Sequence, residues 1–148
     1  NTLTVSLESL GSLPAAYSVT ISGLFNTRTS STLQLPLVRN ESVSPSPFAA
    51  TGVWTQESGD LIVYLSSPLR SAQFSFDLRN PLQGRDGLDV QVHIEGLLVK
   101  RIMQSGLGNS AAMLVAGLLL RSIGQSNPGM ASENTISVTL TTHATLEP

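Results

Sequence analysis

The sequence predicts an all-β fold, an antiparallel β-sandwich with an apolar connector over about residues 97–130 and a terminal strand to spare. Three observations predict it: short stretches alternate apolar and polar residues with period two, turn residues separate them, and one strand phrase occurs twice. Asn1-Thr-Leu-Thr-Val-Ser-Leu7 opens the chain, and Asn134-Thr-Ile-Ser-Val-Thr-Leu140 nearly closes it. Adding 133 to each position carries Leu3 onto Ile136, Val5 onto Val138, Leu7 onto Leu140 and Leu13 onto Leu146. Each copy reads as a strand with one buried face. A compact domain has one slot for its first strand, so one copy is expected to belong to a neighbour.

The elements follow in order. Gly11-Ser-Leu-Pro14 is a turn signal, and Tyr17-Ser-Val-Thr-Ile-Ser22 alternates with Tyr17, Val19 and Ile21 on one face until Gly23 ends it. After a polar segment at 26–32 comes Leu33-Gln-Leu-Pro-Leu-Val38, where Pro36 argues for a sheet edge. Residues 39–47, with Ser44-Pro-Ser-Pro47 at their heart, are expected to form an exposed loop. Gly52-Val-Trp-Thr-Gln56, a turn at 57–60 and Leu61-Ile-Val-Tyr-Leu65 read as a β-hairpin.

Phe74-Ser-Phe-Asp-Leu78 alternates until Asn80-Pro81 breaks it, and a glycine-bearing turn at 83–87 leads into Leu88-Asp-Val-Gln-Val-His-Ile94. Short strands between turn signals are the sandwich pattern. The expected core is Leu3, Val5, Leu7, Val19, Ile21, Trp54, Leu61, Val63, Phe74, Phe76, Val90, Val92 and Ile94.

From Gly96 the character changes. The run Ala111-Ala-Met-Leu-Val-Ala-Gly-Leu-Leu-Leu120 fits a buried helix or a buried strand, because period alone does not separate them. Gly117 weakens the helix by about 1 kcal/mol, which tilts the reading to strand. The chain thus divides into a donor-type strand at 1–13, a sandwich core at 14–96, an apolar connector at 97–133 and the repeated strand at 134–148. Met113, Leu114, Val115, Leu118, Leu119 and Leu120 are the candidate subunit contacts within the connector.

Composition excludes more than it assigns. Only 12% of residues are charged, and the eight cations are scattered over a chain of net charge −2, so no basic stripe exists for a phosphate backbone and no nucleic-acid partner is expected. The absence of cysteine removes disulfides, thiol nucleophiles and cysteine metal sites. The longest apolar run is about half of the ~20 residues a membrane helix needs, so no span is expected. The opening residues lack the charged and apolar regions of a signal peptide.

Several of these stretches together resemble a family of tandem β-sandwich repeats in very large cell-surface and flagellar-surface, mastigoneme-like proteins of algae and other protists. The likeness runs through the opening phrase, Val19-Thr-Ile-Ser-Gly-Leu24, Gly52-Val-Trp-Thr-Gln56, Phe74-Ser-Phe-Asp-Leu-Arg-Asn-Pro81 and Ile123-Gly-Gln-Ser126 ahead of the second phrase. It implies an immunoglobulin-like sandwich in an extracellular structural polymer, without catalytic residues or cofactor. The surplus strand also resembles, in mechanism, the donor-strand exchange of pilus-type fibres. The expected function is therefore a filament subunit whose partner is a copy of itself, with Leu3, Val5, Leu7, Ile136, Val138 and Leu140 as the exchange interface. One bead of a covalent tandem-repeat protein, or a carbohydrate-binding adhesive module, is the alternative.

Other candidate sites compete with plainer explanations. Asn40-Glu-Ser42 is a glycosylation sequon beside the proline loop, so a covalent glycan is expected at Asn40; Ser44 and Ser46 are weaker acceptors. Gly106-Leu-Gly-Asn-Ser-Ala111 matches a loose dinucleotide pattern but lacks the parallel βαβ setting that gives it meaning. His93 and His143 stand alone, without the spacing of a metal site, and no serine lies in a G-x-S-x-G elbow. Asn80, Asp86 and Asp89 surround a turn that an Asp-Gly sequence already explains. Trp54 and Tyr64 would serve the adhesive alternative as a sugar-stacking platform, although a lone strand tryptophan is more often core.

Overall fold

A computed structural model describes residues 1–39, 46–95, 100–106, 111–115, 118–131 and 133–142. Among them the chain is all-β with no helix. Its strands are β1 (Thr2–Leu13), β2 (Ser18–Ser22), β3 (Thr32–Pro36), β4 (Val38–Arg39), β5 (Thr51–Thr55), β6 (Asp60–Tyr64), β7 (Leu69–Asp77), β8 (Gln91–Ile94), β9 (Lys100–Ile102), β10 (Leu118–Gln125) and β11 (Ile136–Thr142). They form sheets ordered β1-β7-β4, β3-β5-β6-β2-β8-β9 and β10-β11, and every pairing is antiparallel. The first two sheets enclose one core, an arrangement consistent with a β-sandwich.

Period two fixes which face each strand buries. Val19 and Ile21 of β2, Leu61 and Val63 of β6, and Phe74 and Phe76 of β7 point into that core, as does Trp54 of β5. The expected core residues Val5 and Val90 join them, whereas Leu3, Leu7, Val92 and Ile94 pack half-buried at its margin. The β5–β6 hairpin turns through Gly59 at φ +67, whose N–H donates to Thr55 O at 2.9 Å. A β-carbon on Gly59 would collide with the Phe25 backbone, so this turn requires glycine twice over. Pro36 ends the edge strand β3, where a missing N–H breaks no ladder.

Three local expectations need correction. Pro47 is buried and its carbonyl accepts from Ser66 N–H at 2.7 Å, while Arg39 belongs to β4; the stretch 39–47 is therefore not exposed throughout. Next to it Phe48 is fully buried, edge-on to Phe74 at 4.7 Å, and apolar burial outweighs the turn chemistry around it. The strand foreseen over 88–94 shortens to β8, because Leu88 donates to Ala112 O instead of to a neighbouring strand.

The connector also enters the body. Its residues 100–102 add β9 to the larger sheet, Arg85 and Val115 exchange main-chain bonds, and Met113 is buried in the core. The apolar run at 111–120 thus divides: a turn at 111–115 closes one end of the body, and β10 begins at Leu118. Among the described residues no helix is long and apolar enough to cross a membrane.

Candidate assembly site

The two copies of the strand phrase meet different fates. β1 lies on β7 of its own chain, with Leu3 opposite Phe76, Val5 opposite Phe74 and Leu7 opposite Ala72. On the outer face Thr2 Oγ1 donates to Asp77 Oδ1 at 2.6 Å, Thr4 and Ser75 hydroxyls meet at 2.9 Å, and Gln73 Nε2 donates to Ser6 Oγ at 2.9 Å. Leu3, Val5 and Leu7 therefore fill their own sandwich. The expectation that residues 1–13 stand free as a donor does not describe the single chain, because β7 takes them first.

The ladder's parity defines what β1 leaves open. Leu78 N–H donates to Asn1 O at 2.9 Å, which makes the odd residues of β1 the ones whose main-chain groups point at β7. The N–H and C=O of Thr2, Thr4 and Ser6 then point away from it. No described strand pairs with that side, since β1 is the edge of its sheet. An open groove of about 570 Å³ runs beside it, lined by Leu3, Val5, Leu88, Val90, Met103 and Met113 among others. The lining is mixed, with Thr4, Ser6, Gln73, Gln104 and Ser105 beside these apolar side chains, and an open edge ladder next to such a groove is a template for another strand.

Met113 closes one end of this groove under strain. It adopts φ +58, a region costly for a long side chain, yet its side chain is 1% exposed and its sulfur accepts from Asn1 Nδ2 at 3.7 Å. Burial holds the turn in this conformation. The neighbouring candidates Leu114 and Val115 are half-buried against the body, whereas the side chains of Leu118, Leu119 and Leu120 lie outside what is described.

The second phrase has no such slot. Among the described residues β11 pairs only with β10, and neither touches another strand. Ile136, Val138 and Leu140 are 55%, 61% and 59% exposed, and Ile123, opposite Val138, is 75% exposed. These four share one face of a two-stranded hairpin, a unit that is marginal alone in water. Asn134 fastens its turn: its side chain accepts from Asn127 N–H at 3.0 Å and donates to Gln125 Oε1 at 2.9 Å.

The remaining candidates scatter. Trp54 is buried and donates from Nε1 to Thr29 O at 2.9 Å, while Tyr64 points outward at 50% exposed, so they do not form one sugar-stacking platform. Among the described residues no three histidine, aspartate or glutamate side chains gather as metal ligands, and Asp86 and Asp89 belong to no such group. His93 sits mid-sheet on β8 between Thr20 and Lys100 in register. Arg85 donates to Phe25 O at 2.9 Å and its guanidinium lies 6.0 Å from that ring; partial burial lowers its pKa. Asn40, Ser44, His143 and residues 107–110 lie outside the described residues.

Sequence reasoning missed the groove and the role of Met113. Neither has a local signal, since both depend on where the edges of two sheets end. No protein-family model, curated protein or solved structure matches the chain.

Proposed function

We propose that this chain is the structural subunit of an extracellular filament, polymerising head-to-tail by insertion of a terminal β-strand into a neighbouring immunoglobulin-like domain. One observation carries this reading: a strand phrase is present twice, and only its first copy has a place in the two-sheet body. The second copy shows water a row of β-branched and leucine side chains that the first copy turns towards its core. Each such side chain, once covered, would contribute on the order of 1.5–3 kcal/mol before ordering costs.

A donor at one end and an acceptor at the other make a heterologous contact, which propagates as a fibre unless rotation closes it into a ring. The partner is then a second copy of the chain, and the sequon at Asn40 would carry a glycan. A low charge fraction suits a surface largely covered by like copies.

The spacing of 133 residues between the phrases favours a second reading, in which the chain is one bead of a covalent tandem-repeat surface protein and β11 begins the following bead. Electron microscopy of the undenatured protein, paired with mass analysis after strong denaturation, separates the two. Filaments that dissolve into 15.6 kDa units plus glycan support noncovalent polymerisation. Filaments that release only much larger chains support the tandem protein, and a protein that stays monomeric at high concentration refutes the filament.

A further inference from the structure

The groove beside β1 is open in the chain, and the chain itself carries the strand shaped for it. β11 repeats the inward apolar positions Leu3, Val5 and Leu7 of β1 as Ile136, Val138 and Leu140, so whatever lies along one edge of β11 shows what fits along the same edge of β1. On β11 that edge is occupied by β10. Ser126 N–H donates to Thr135 O at 3.0 Å, so the odd residues of β11 point their main-chain groups at β10. Subtracting 133 turns Thr135, Ser137 and Thr139 into Thr2, Thr4 and Ser6, the residues whose main-chain groups face the groove with no described strand to receive them. The side of β1 that is unpaired is the side of β11 that holds β10.

We propose that β10 of a second copy docks antiparallel along the free edge of β1, in the register it already uses with β11. Ile123 then stands opposite Val5 as it now stands opposite Val138, Gly124 opposite Thr4 and Ser122 opposite Ser6. This rests on the filament reading but replaces its terminal strand by β10 as the donor, and it names the free edge of β1 as the acceptor. Parity places Ile123 on the inward face beside Val5, over Val90, Met103 and Met113. The hydroxyls of Ser122 and Ser6 stay on the outer face.

The obvious rival is that β11 displaces β1 from β7 in the next copy. Its inward residues match those of β1, and Thr135, Ser137 and Thr139 would restore the outer hydroxyl contacts with Asp77, Ser75 and Gln73. That exchange, however, exposes one Leu3-Val5-Leu7 face for each face it covers. Docking β10 on β1 leaves β1 in place. It releases only β11, whose apolar face is already in water, and the ladder bonds lost with β11 are remade with β1. The net change is burial of Ile123 and of the groove, offset by loss of the exposed Asn134 turn bonds to Asn127 and Gln125.

Because the chain has no cysteine, single-cysteine variants report the register directly. Chains carrying Ser6→Cys and chains carrying Ser122→Cys are mixed under filament-forming conditions and oxidised, alongside a Ser75→Cys with Ser137→Cys mixture. Both outward serines are exposed, so the substitutions leave the core intact. A disulfide dimer from the first mixture, at least tenfold above the second, is expected. Filaments that give the Ser75–Ser137 dimer instead, or neither dimer, overturn the β10 inference while leaving the filament reading standing. The Ser6–Ser122 dimer without filaments does the reverse, and neither filaments nor dimer sinks both. In a second variant, Thr4→Pro removes an outward N–H of β1 and no main-chain ladder bond to β7, losing there only the exposed hydroxyl contact with Ser75. It should keep the buried Trp54 emission yet lose assembly, and filaments undiminished by it would overturn the proposal.

Discussion

Val5 and Val138 hold the same place in the two copies of one phrase, and replacing each by alanine should affect the single chain unequally and report which strand is covered in its polymer. Val5 is 5% exposed against Phe74, whereas Val138 is 61% exposed. Alanine removes the equivalent of two methylene groups, worth about 0.8 kcal/mol each, plus a cavity term where the neighbours do not collapse. Val5→Ala should therefore lower the unfolding free energy of dilute monomer by about 1.5–2.5 kcal/mol, and Val138→Ala by less than ~0.5 kcal/mol. Urea titration followed by Trp54 fluorescence measures both, since Trp54 lies in the core that β1 helps to close.

In the polymer the order reverses if β11 becomes covered there. A loss of about 1.6 kcal/mol per contact raises the critical concentration roughly 15-fold for Val138→Ala, from tenfold per 1.4 kcal/mol. Sedimentation of filaments over a concentration series measures it. If Val138→Ala destabilises the monomer as much as Val5→Ala does, β11 is packed on the body and the surplus-strand argument collapses. If Val138→Ala leaves both monomer and critical concentration unchanged while Ile123→Ala raises the latter, β10 alone is the donor, as the groove inference requires.

Gly59→Ala should cost more than ~3 kcal/mol, since its β-carbon meets the Phe25 backbone and its φ is positive; thermal unfolding measures it, and a fall under 1 kcal/mol would mean that the turn is not as described. Met113→Ala should cost about 2–5 kcal/mol by urea titration despite the strained backbone, because the buried side chain is what the strain supports; a neutral result would place Met113 outside the core. Trp54 should emit as a buried indole and show no quenching across a glycan panel; a saturable response would revive the adhesive alternative. Asn40→Gln should abolish any glycan-dependent mobility shift of natively produced protein, and an unchanged shift would move modification to the serines of the proline loop.

How much of this was legible in the sequence differs from element to element, for physical reasons. The β5–β6 hairpin was legible because alternation and a glycine turn act over neighbouring residues. Strand β7 was legible at Phe74 and Phe76, but not at its start, where Leu69 and Ala72 are buried without a clean alternation around them. Phe48 was missed because prolines beside it signal a loop, while its burial depends on Phe74 from far along the chain. The apolar run at 111–120 resisted assignment because it serves two bodies, a strained turn that seats Met113 and then the start of β10.

By itself the sequence determined that this chain makes strands, which side of each is apolar, and that one strand is stated twice. Period-two alternation and turn chemistry are local, so similar phrases both yield strands. Tertiary structure alone decided which copy has a home. β7 is distant from both phrases along the chain, and its Phe74 and Phe76 are what convert Val5 into core while Val138 stays in water. It also decided that Trp54 faces inward and Tyr64 outward, and that the edge of β1 lies open beside a groove. Sheet edges are global properties, set by where the last strand falls, and no window of sequence contains them.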